Sequence, residues 1–381
     1  MTMGSGADLV IPQHLRPEDG RFGCGPSKVP TAAVRALAEV GPTLLGTSHR
    51  QAPVKALVHR LRAGLAEFFQ APAGYEVVLG NGGATCFWDV ATLSLIERRS
   101  QHLVFGEFSS KFAQAVYEAP YLDEPEIIES PPGTCPTPIA NPSVDTYCLT
   151  QNETSTGVAM PGERVGPQEQ LVLVDATSAA GGMRVDLSQS DVYYFSPQKC
   201  FASDGGLWVA ILSPTAIARV EQLCRSDRWI PPSLNLLTAV VNSRQDQTYN
   251  TPAVATLFLF AQQLEWLLAQ GGLDWAAHRC EESAGIVYEW AVGSDFATPF
   301  VGDPAWRSPV VATVDLDPSV SAQDVSAVLR SNGIVDTDAY RKLGRNQLRL
   351  GLFPAVEPAD VRQLTLAIDW VAARLRERHA A

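Results

Sequence analysis

A chain of 381 residues, 46% hydrophobic and with mean hydropathy near zero, is long enough for two domains with substantial cores and has the balance of an ordinary soluble globular protein. A net charge of −12 excludes broad binding to nucleic acid or to an anionic membrane, but not a local cationic pocket for a small anion. The seven cysteines, at 24, 86, 135, 148, 200, 224 and 280, form no CxxC pair; an odd, unpatterned set fits reduced thiols in a cytosol, not a disulfide framework or a zinc site.

In chain order, the opening MTMGSGADLVIPQHLRPEDG has no basic start followed by an apolar run, so no targeting segment is expected. Residues 53–69 have helical spacing. EVVLG (76–80) reads as a strand, followed by NGGAT and a helix over 84–99. HLVF (102–105) is a strand and 109–119 a helix. The proline-rich 129–142 predicts a long loop, because proline removes ladder donors and helix bonds. YCLTQ (147–151), LVLVD (171–175), DVYYF (191–195) and GLWVAIL (206–212) are strands, and 214–225 is a helix. The most apolar window, 251–270, is broken by Gln262, Gln263 and Glu265, so it reads as a core helix and not a membrane span. After the glycine pair at 271–272 come a long helix (273–291), a strand (308–316), a helix (321–333), a strand (347–353) and a last helix. Short apolar strands alternating with helices imply an α/β fold with a mostly parallel sheet covered on both faces. The expected division is an N-terminal segment 1–20, a large domain 21–270 and a smaller α+β domain 271–381.

Lys199, in FSPQKCFASDGG, lies between two strand-like segments with apolar flanks. Partial desolvation lowers an amine's pKa and favours it as a nucleophile. LVLVD ends in Asp175, 24 residues upstream, at the strand end that faces the ligand crevice of α/β sheets. An amine for an aldehyde and a carboxylate for a ring nitrogen, at opposite ends of one flat ring, are what pyridoxal 5′-phosphate requires. NGGATCFW (81–88) sets two glycines and Thr85 before a helix, an arrangement that holds a phosphate; read without the lysine, it is an ordinary strand–helix turn. QNETSTGV (151–158) offers Thr154 to a ring oxygen, or is a polar turn, and NTPAVATL (250–257) begins a helix with Thr251 as cap.

The order GGAT, NET-x-x-G, DATSxxGG, SPQK, NTP resembles the class V branch of the fold-type I PLP enzymes. RFGCGPSKVP (21–30) and GTSHR (46–50) narrow the resemblance to the phosphoserine aminotransferase family, over roughly residues 20–355. The resemblance implies a homodimeric cytoplasmic enzyme. Lys199 would bind the cofactor and move the substrate proton, and Asp175 would pair with the ring nitrogen. Thr154 would bond the ring hydroxyl. Ala84, Thr85 and Gln198 would hold the phosphate, joined by Asn250 and Thr251 of the other subunit. Phe108 would stack on the ring in place of the family's usual Trp. His49, Arg50 and Arg341 would grip the distal anion and Arg349 the α-carboxylate. Tyr340 for the usual His, two extra residues before Arg349, and Ala-Thr where an Arg is usual after GG are departures from the family pattern. Arg345 reads as a solvated loop residue.

The implied reaction interconverts 3-phosphohydroxypyruvate and glutamate with O-phosphoserine and 2-oxoglutarate in serine biosynthesis; a phosphorylated threonine analogue of pyridoxine biosynthesis is a further implied substrate. The alternatives are a serine–pyruvate or alanine–glyoxylate aminotransferase, a desulfurase, a non-catalytic PLP-binding regulator, or an α/β protein without PLP. The SHR element and the intact Lys199–Asp175 pair argue against them, and no cysteine sits in an evident catalytic loop.

Overall fold

The structure is a computed structural model that describes residues 9–380; the first eight residues of the expected N-terminal segment lie outside it. In chain order it holds α1 (Thr31–Leu44), α2 (Ala52–Phe68), β1 (Glu76–Asn81), α3 (Gly83–Ser94), β2 (Ser100–Val104), α4 (Glu107–Tyr117), β3 (Glu126–Glu129), β4 (Thr146–Thr150), the two-residue strands β5 (Asn152–Glu153) and β6 (Val158–Ala159), β7 (Leu171–Asp175) and β8 (Val192–Phe195). There follow β9 (Leu207–Leu212), α5 (Pro214–Cys224), α6 (Leu236–Ser243), α7 (Val254–Gln270), α8 (Gly272–Gly293), β10 (Ala297–Pro299), β11 (Val311–Leu316), α9 (Ala322–Ser331), β12 (Gln347–Gly351) and α10 (Pro358–Ala380).

The central seven-stranded sheet runs β1-β9-β8-β7-β4-β2-β3. Only β9 opposes its neighbours; the remaining pairs are parallel. The expected mostly parallel sheet is therefore present, and its burial explains the unbroken apolar strands. Period-two alternation sorts their side chains. Val172 and Val174 of β7, Tyr193 and Phe195 of β8, and Val209 and Ile211 of β9 pack with α2 and α7. Leu171, Leu173, Val192, Tyr194, Ala210 and Leu212 pack with α3, α5 and α6 on the other face. The carboxyl ends of β1, β4, β7 and β8 lie along one edge of this sheet.

A second core surrounds the antiparallel sheet β10-β11-β12, with α8, α9 and α10 against it. Ile11 and Phe22 of the N-terminal stretch pack into this second core, and α8 runs from Ala276 in the first core to Ala284, Val287 and Ala291 in the second. The chain near Phe22 is laid beside β12 by the bonds Phe22 N–H to Val335 O and Gly351 N–H to Phe22 O. That placement carries Cys24 and Gly25 from the second core to the edge of the first.

Two local expectations fail. The helix expected over 84–99 stops at Ser94, because the Asp145 carboxylate accepts the backbone N–H groups of Glu97, Arg98 and Arg99 and holds that stretch as a turn. Thr251 does not cap α7; the helix starts at Val254 without a side-chain cap, and the Thr251 hydroxyl bonds His49 instead. Among the described residues no helix is long and apolar enough to cross a membrane, and all seven cysteines are unpaired.

Candidate active site

Asp175 ends β7 with the same parity as Leu171 and Leu173, so its side chain turns toward α3. There Trp88 Nε1 donates to Oδ2 at 3.0 Å, and Tyr194, its register partner on β8, donates to the same oxygen at 3.2 Å. Oδ1 accepts from Thr177 N (2.9 Å) and Thr177 Oγ1 (2.6 Å). Every neighbour donates, which suits a group that accepts only, and the carboxylate is locked in orientation. Trp88, Thr177 and Tyr194 escaped the sequence reading. Tyr194 was findable as the parallel neighbour of Asp175; Trp88 carries no sequence signal.

Lys199 follows β8 in a tight loop. Ala202 N–H bonds Lys199 O, Ser203 N–H bonds Pro197 O, and Ser27 N–H bonds Gln198 O at 2.7 Å. The Lys199 amine donates to the Cys24 carbonyl at 2.7 Å. Burial pushes its pKa down to about 8, and the Arg349 guanidinium acts in the same direction. Gly25 is essential to this fit. It has φ +142°, and a Cβ there would stand 1.6 Å from Lys199 Nζ.

At the same sheet edge, Gly82 (φ +114°) and Gly83 (φ +77°) turn β1 into α3. The first-turn N–H groups of Ala84 and Thr85 have no intrahelical acceptor and carry the positive end of the helix dipole. Ser196 Oγ lies 3.7 Å from where a Cβ of Gly83 would be. Ser196 Oγ, Gln198 Oε1 and Ser27 Oγ are buried without a hydrogen-bond partner. The two hydroxyls can donate to an anion bound beside the helix start, and the Gln198 side chain can do so through its amide nitrogen.

On the other side of Lys199, the hydroxyl of Thr154 donates to Ser178 Oγ at 2.7 Å. Arg349 lies on β12 between Leu348 and Leu350; alternation puts those two into the second core and sends Arg349 the other way, toward the first. Its Nη1 donates to Thr154 O at 3.2 Å and its Nε is buried without a partner. Phe108 opens α4, whose first N–H groups are capped by the fully buried Glu153 carboxylate. Glu153, read only as part of a turn motif, is thus the group that seats Phe108. A cleft of about 780 Å³ runs between Cys24, Gly25, Asp336, Tyr340, Arg341 and Arg349. Arg345 lies outside it, paired to Asp315.

Lys199 has Asp175 and Arg349 within electrostatic reach, Arg349 bonds Thr154 and lines one cleft with Arg341, and Phe108 meets Arg349 through Tyr340, while Ala84 and Thr85 open α3 at the same sheet edge and Gln198 precedes the lysine. The structure does not bond the remaining group to them. His49 Nδ1 lies 3.2 Å from Thr251 Oγ1, and Asn81 Nδ2 donates to the carbonyls of Asn250 and Thr251. These residues form a separate, mostly exposed cluster beside the α3 entry. The Arg50 and Arg341 side chains are exposed, and among the described residues neither has an ion-pair partner.

The family model for aminotransferase class-V matches residues 135–337. A putative phosphoserine aminotransferase of Mycobacterium leprae is 58% identical over 96% of this chain and 98% of its own length. The chain belongs to the phosphoserine aminotransferase family. A second member, from Rhodococcus opacus, is 55% identical over 96% of this chain and 98% of its own. The crystal structure of a phosphoserine aminotransferase from Cytophaga hutchinsonii superposes with a TM-score of 0.86 at 24% identity, covering 92% of this chain and 99% of that one. An alanine–glyoxylate aminotransferase from Nostoc reaches 0.76 at 19% identity, over 97% and 100%. The fold alone is thus shared across several aminotransferases, and sequence identity distinguishes the family.

Proposed function

We infer that this chain is a phosphoserine aminotransferase that uses pyridoxal 5′-phosphate to pass an amino group between glutamate and 3-phosphohydroxypyruvate, in serine biosynthesis. The partly buried Lys199 amine, beside the same crevice as the four-times-held Asp175, carries the reading; the choice of phosphorylated substrate rests on the relatives. The residues present fit the cofactor. Asp175 would face the ring nitrogen. The α3 N-terminus with Ser196 and Gln198 would take the phosphate, Thr154 the ring hydroxyl and Phe108 a ring face.

When bound, the cofactor supplies the electron sink for the pair left when the substrate Cα–H bond breaks. The protein does the rest. Lys199 Nζ would take the proton from the substrate Cα as general base and deliver it as general acid to the cofactor's aldehyde carbon, with the same transfer run backwards in the other half, which the lowered pKa of the amine suits. Arg349 grips the α-carboxylate with its fork. His49, Arg50 and Arg341 meet the distal anion, a carboxylate in glutamate and a phosphate in phosphoserine. Glutamate should therefore bleach the near-visible band of the bound cofactor, and 3-phosphohydroxypyruvate should restore it. Restoration by glyoxylate and not by 3-phosphohydroxypyruvate would overturn the phosphoserine reading.

The same proposal includes a homodimer in which the cluster His49, Arg50, Asn250 and Thr251 completes the partner's site. Its exposure and its separation from Lys199 support this. Mixing an inactive Lys199→Ala protein with an inactive Thr251→Arg protein should recover activity in heterodimers, because one site then has both intact halves. Verified heterodimers without recovery would mean that the cluster serves its own chain.

A further inference from the structure

Tyr340 stands where the two cores meet over the cleft. The Arg349 guanidinium lies over its ring at 5.2 Å from the centroid, within cation–π range. The Phe108 ring meets it edge-on, with centroids 6.1 Å apart and planes at 61°. The turn that carries Tyr340 is clasped to the start of α4, because Lys342 Nζ reaches Glu107 Oε1 at 2.5 Å. Phe108 in turn is seated by its N–H bond to the Glu153 carboxylate at 3.1 Å.

Arg349 needs such a support. Its guanidinium makes one hydrogen bond among the described residues, to Thr154 O, which is long at 3.2 Å, and its Nε has no partner there. A guanidinium held at a single nitrogen is free to tilt out of the plane in which its fork meets a carboxylate. The Tyr340 ring is the flat surface that removes this freedom.

We propose that Tyr340 is a positioning residue for α-carboxylate recognition: its ring sets the plane of the Arg349 guanidinium, and Phe108 braces that ring. The inference rests on the reading of Arg349 given above. One aromatic contact then orients both the residue facing the cofactor ring and the residue facing the carboxylate. Tyr340 touches neither reacting atom, so its loss affects binding more than turnover.

The test is the single-turnover rate of the aminated holoenzyme at increasing 2-oxoglutarate, followed by the cofactor absorbance, whose saturation gives the Kd, alongside steady-state kinetics. Tyr340→Leu should raise the Kd for 2-oxoglutarate about tenfold and the KM for glutamate by a similar factor, with kcat little changed. Tyr340→Phe, which keeps the ring, should stay within about twofold of wild type. In a double-mutant cycle the losses from Tyr340→Leu and Arg349→Lys should not multiply, since both act on the same fork. Tyr340→Met replaces the leucine variant if that one fails to fold. Wild-type holoenzyme that gives no signal with 2-oxoglutarate would overturn the aminotransferase reading itself. Normal wild-type binding with an unchanged Kd in Tyr340→Leu, or losses that multiply, would overturn the role of Tyr340 alone.

Discussion

Lys199→Ala is expected to leave a folded protein whose amino-transfer rate is lower by about 10⁴-fold. The amine has one hydrogen bond, to the Cys24 carbonyl, so little of the fold depends on it. The surrounding loop is held instead by the backbone bonds at Ser27, Ala202 and Ser203. The chemistry depends on it entirely, because it is the amine within electrostatic reach of Asp175, whereas Lys342, which lines the outer cleft, is paired to Glu107. Steady-state assay and a melting curve check the two halves of the expectation. Borohydride treatment of wild-type holoenzyme followed by peptide mapping should place the cofactor on Lys199; label on another lysine would refute the assignment. The pH dependence has a definite sign. Burial lowers the amine from the ordinary lysine value of 10.5 to about 8, so it is protonated and unreactive below that pH and neutral above it. Recombination of cofactor with cofactor-free protein should accelerate as pH rises to about 8 and then level off. A rate that keeps climbing toward 10.5 would indicate an exposed amine.

Arg50→Ala and Arg349→Ala should separate by substrate. Loss of a charge-assisted partner from a desolvated anion costs about 2–5 kcal/mol, roughly 30-fold to several-thousand-fold in kcat/KM. Arg349→Ala should impose that loss on every amino-acid substrate, since each carries an α-carboxylate. Arg50→Ala should impose it on phosphoserine and glutamate but far less on alanine, which has no distal anion. Equal damage to alanine and phosphoserine in Arg50→Ala would remove His49 and Arg50 from the distal grip. The exposure of Arg50 and its lack of an ion-pair partner among the described residues fit a cation kept for substrate.

Much of this site is legible in local pattern. LVLVD predicts β7 residue for residue, because a strand buried on both faces has no reason to interrupt its apolar run. GGAT predicts the turn into α3, where positive φ at Gly82 and Gly83 leaves few alternatives to glycine. The lysine after β8 and the aspartate ending β7 are likewise local facts, and a sheet edge is where both must appear. α1, by contrast, was not read from the sequence. It has no fully buried residue and gains its stability by laying Leu37, Val40 and Leu44 against the first core.

What the chain determined by itself was the alternation of strands and helices, the turn at GGAT, the Lys199–Asp175 pair and the family, since each rests on periodicity, backbone conformation or identity within a short window. Tertiary structure alone decided which groups surround that pair. Trp88 meets Asp175 from 87 residues away, and the Cys24 carbonyl meets Lys199 from 175 residues away. Tyr340 joins Phe108 to Arg349 across the two cores. Contacts between residues so far apart depend on how helices pack on the sheet and how the second core docks, and no local pattern encodes that distance.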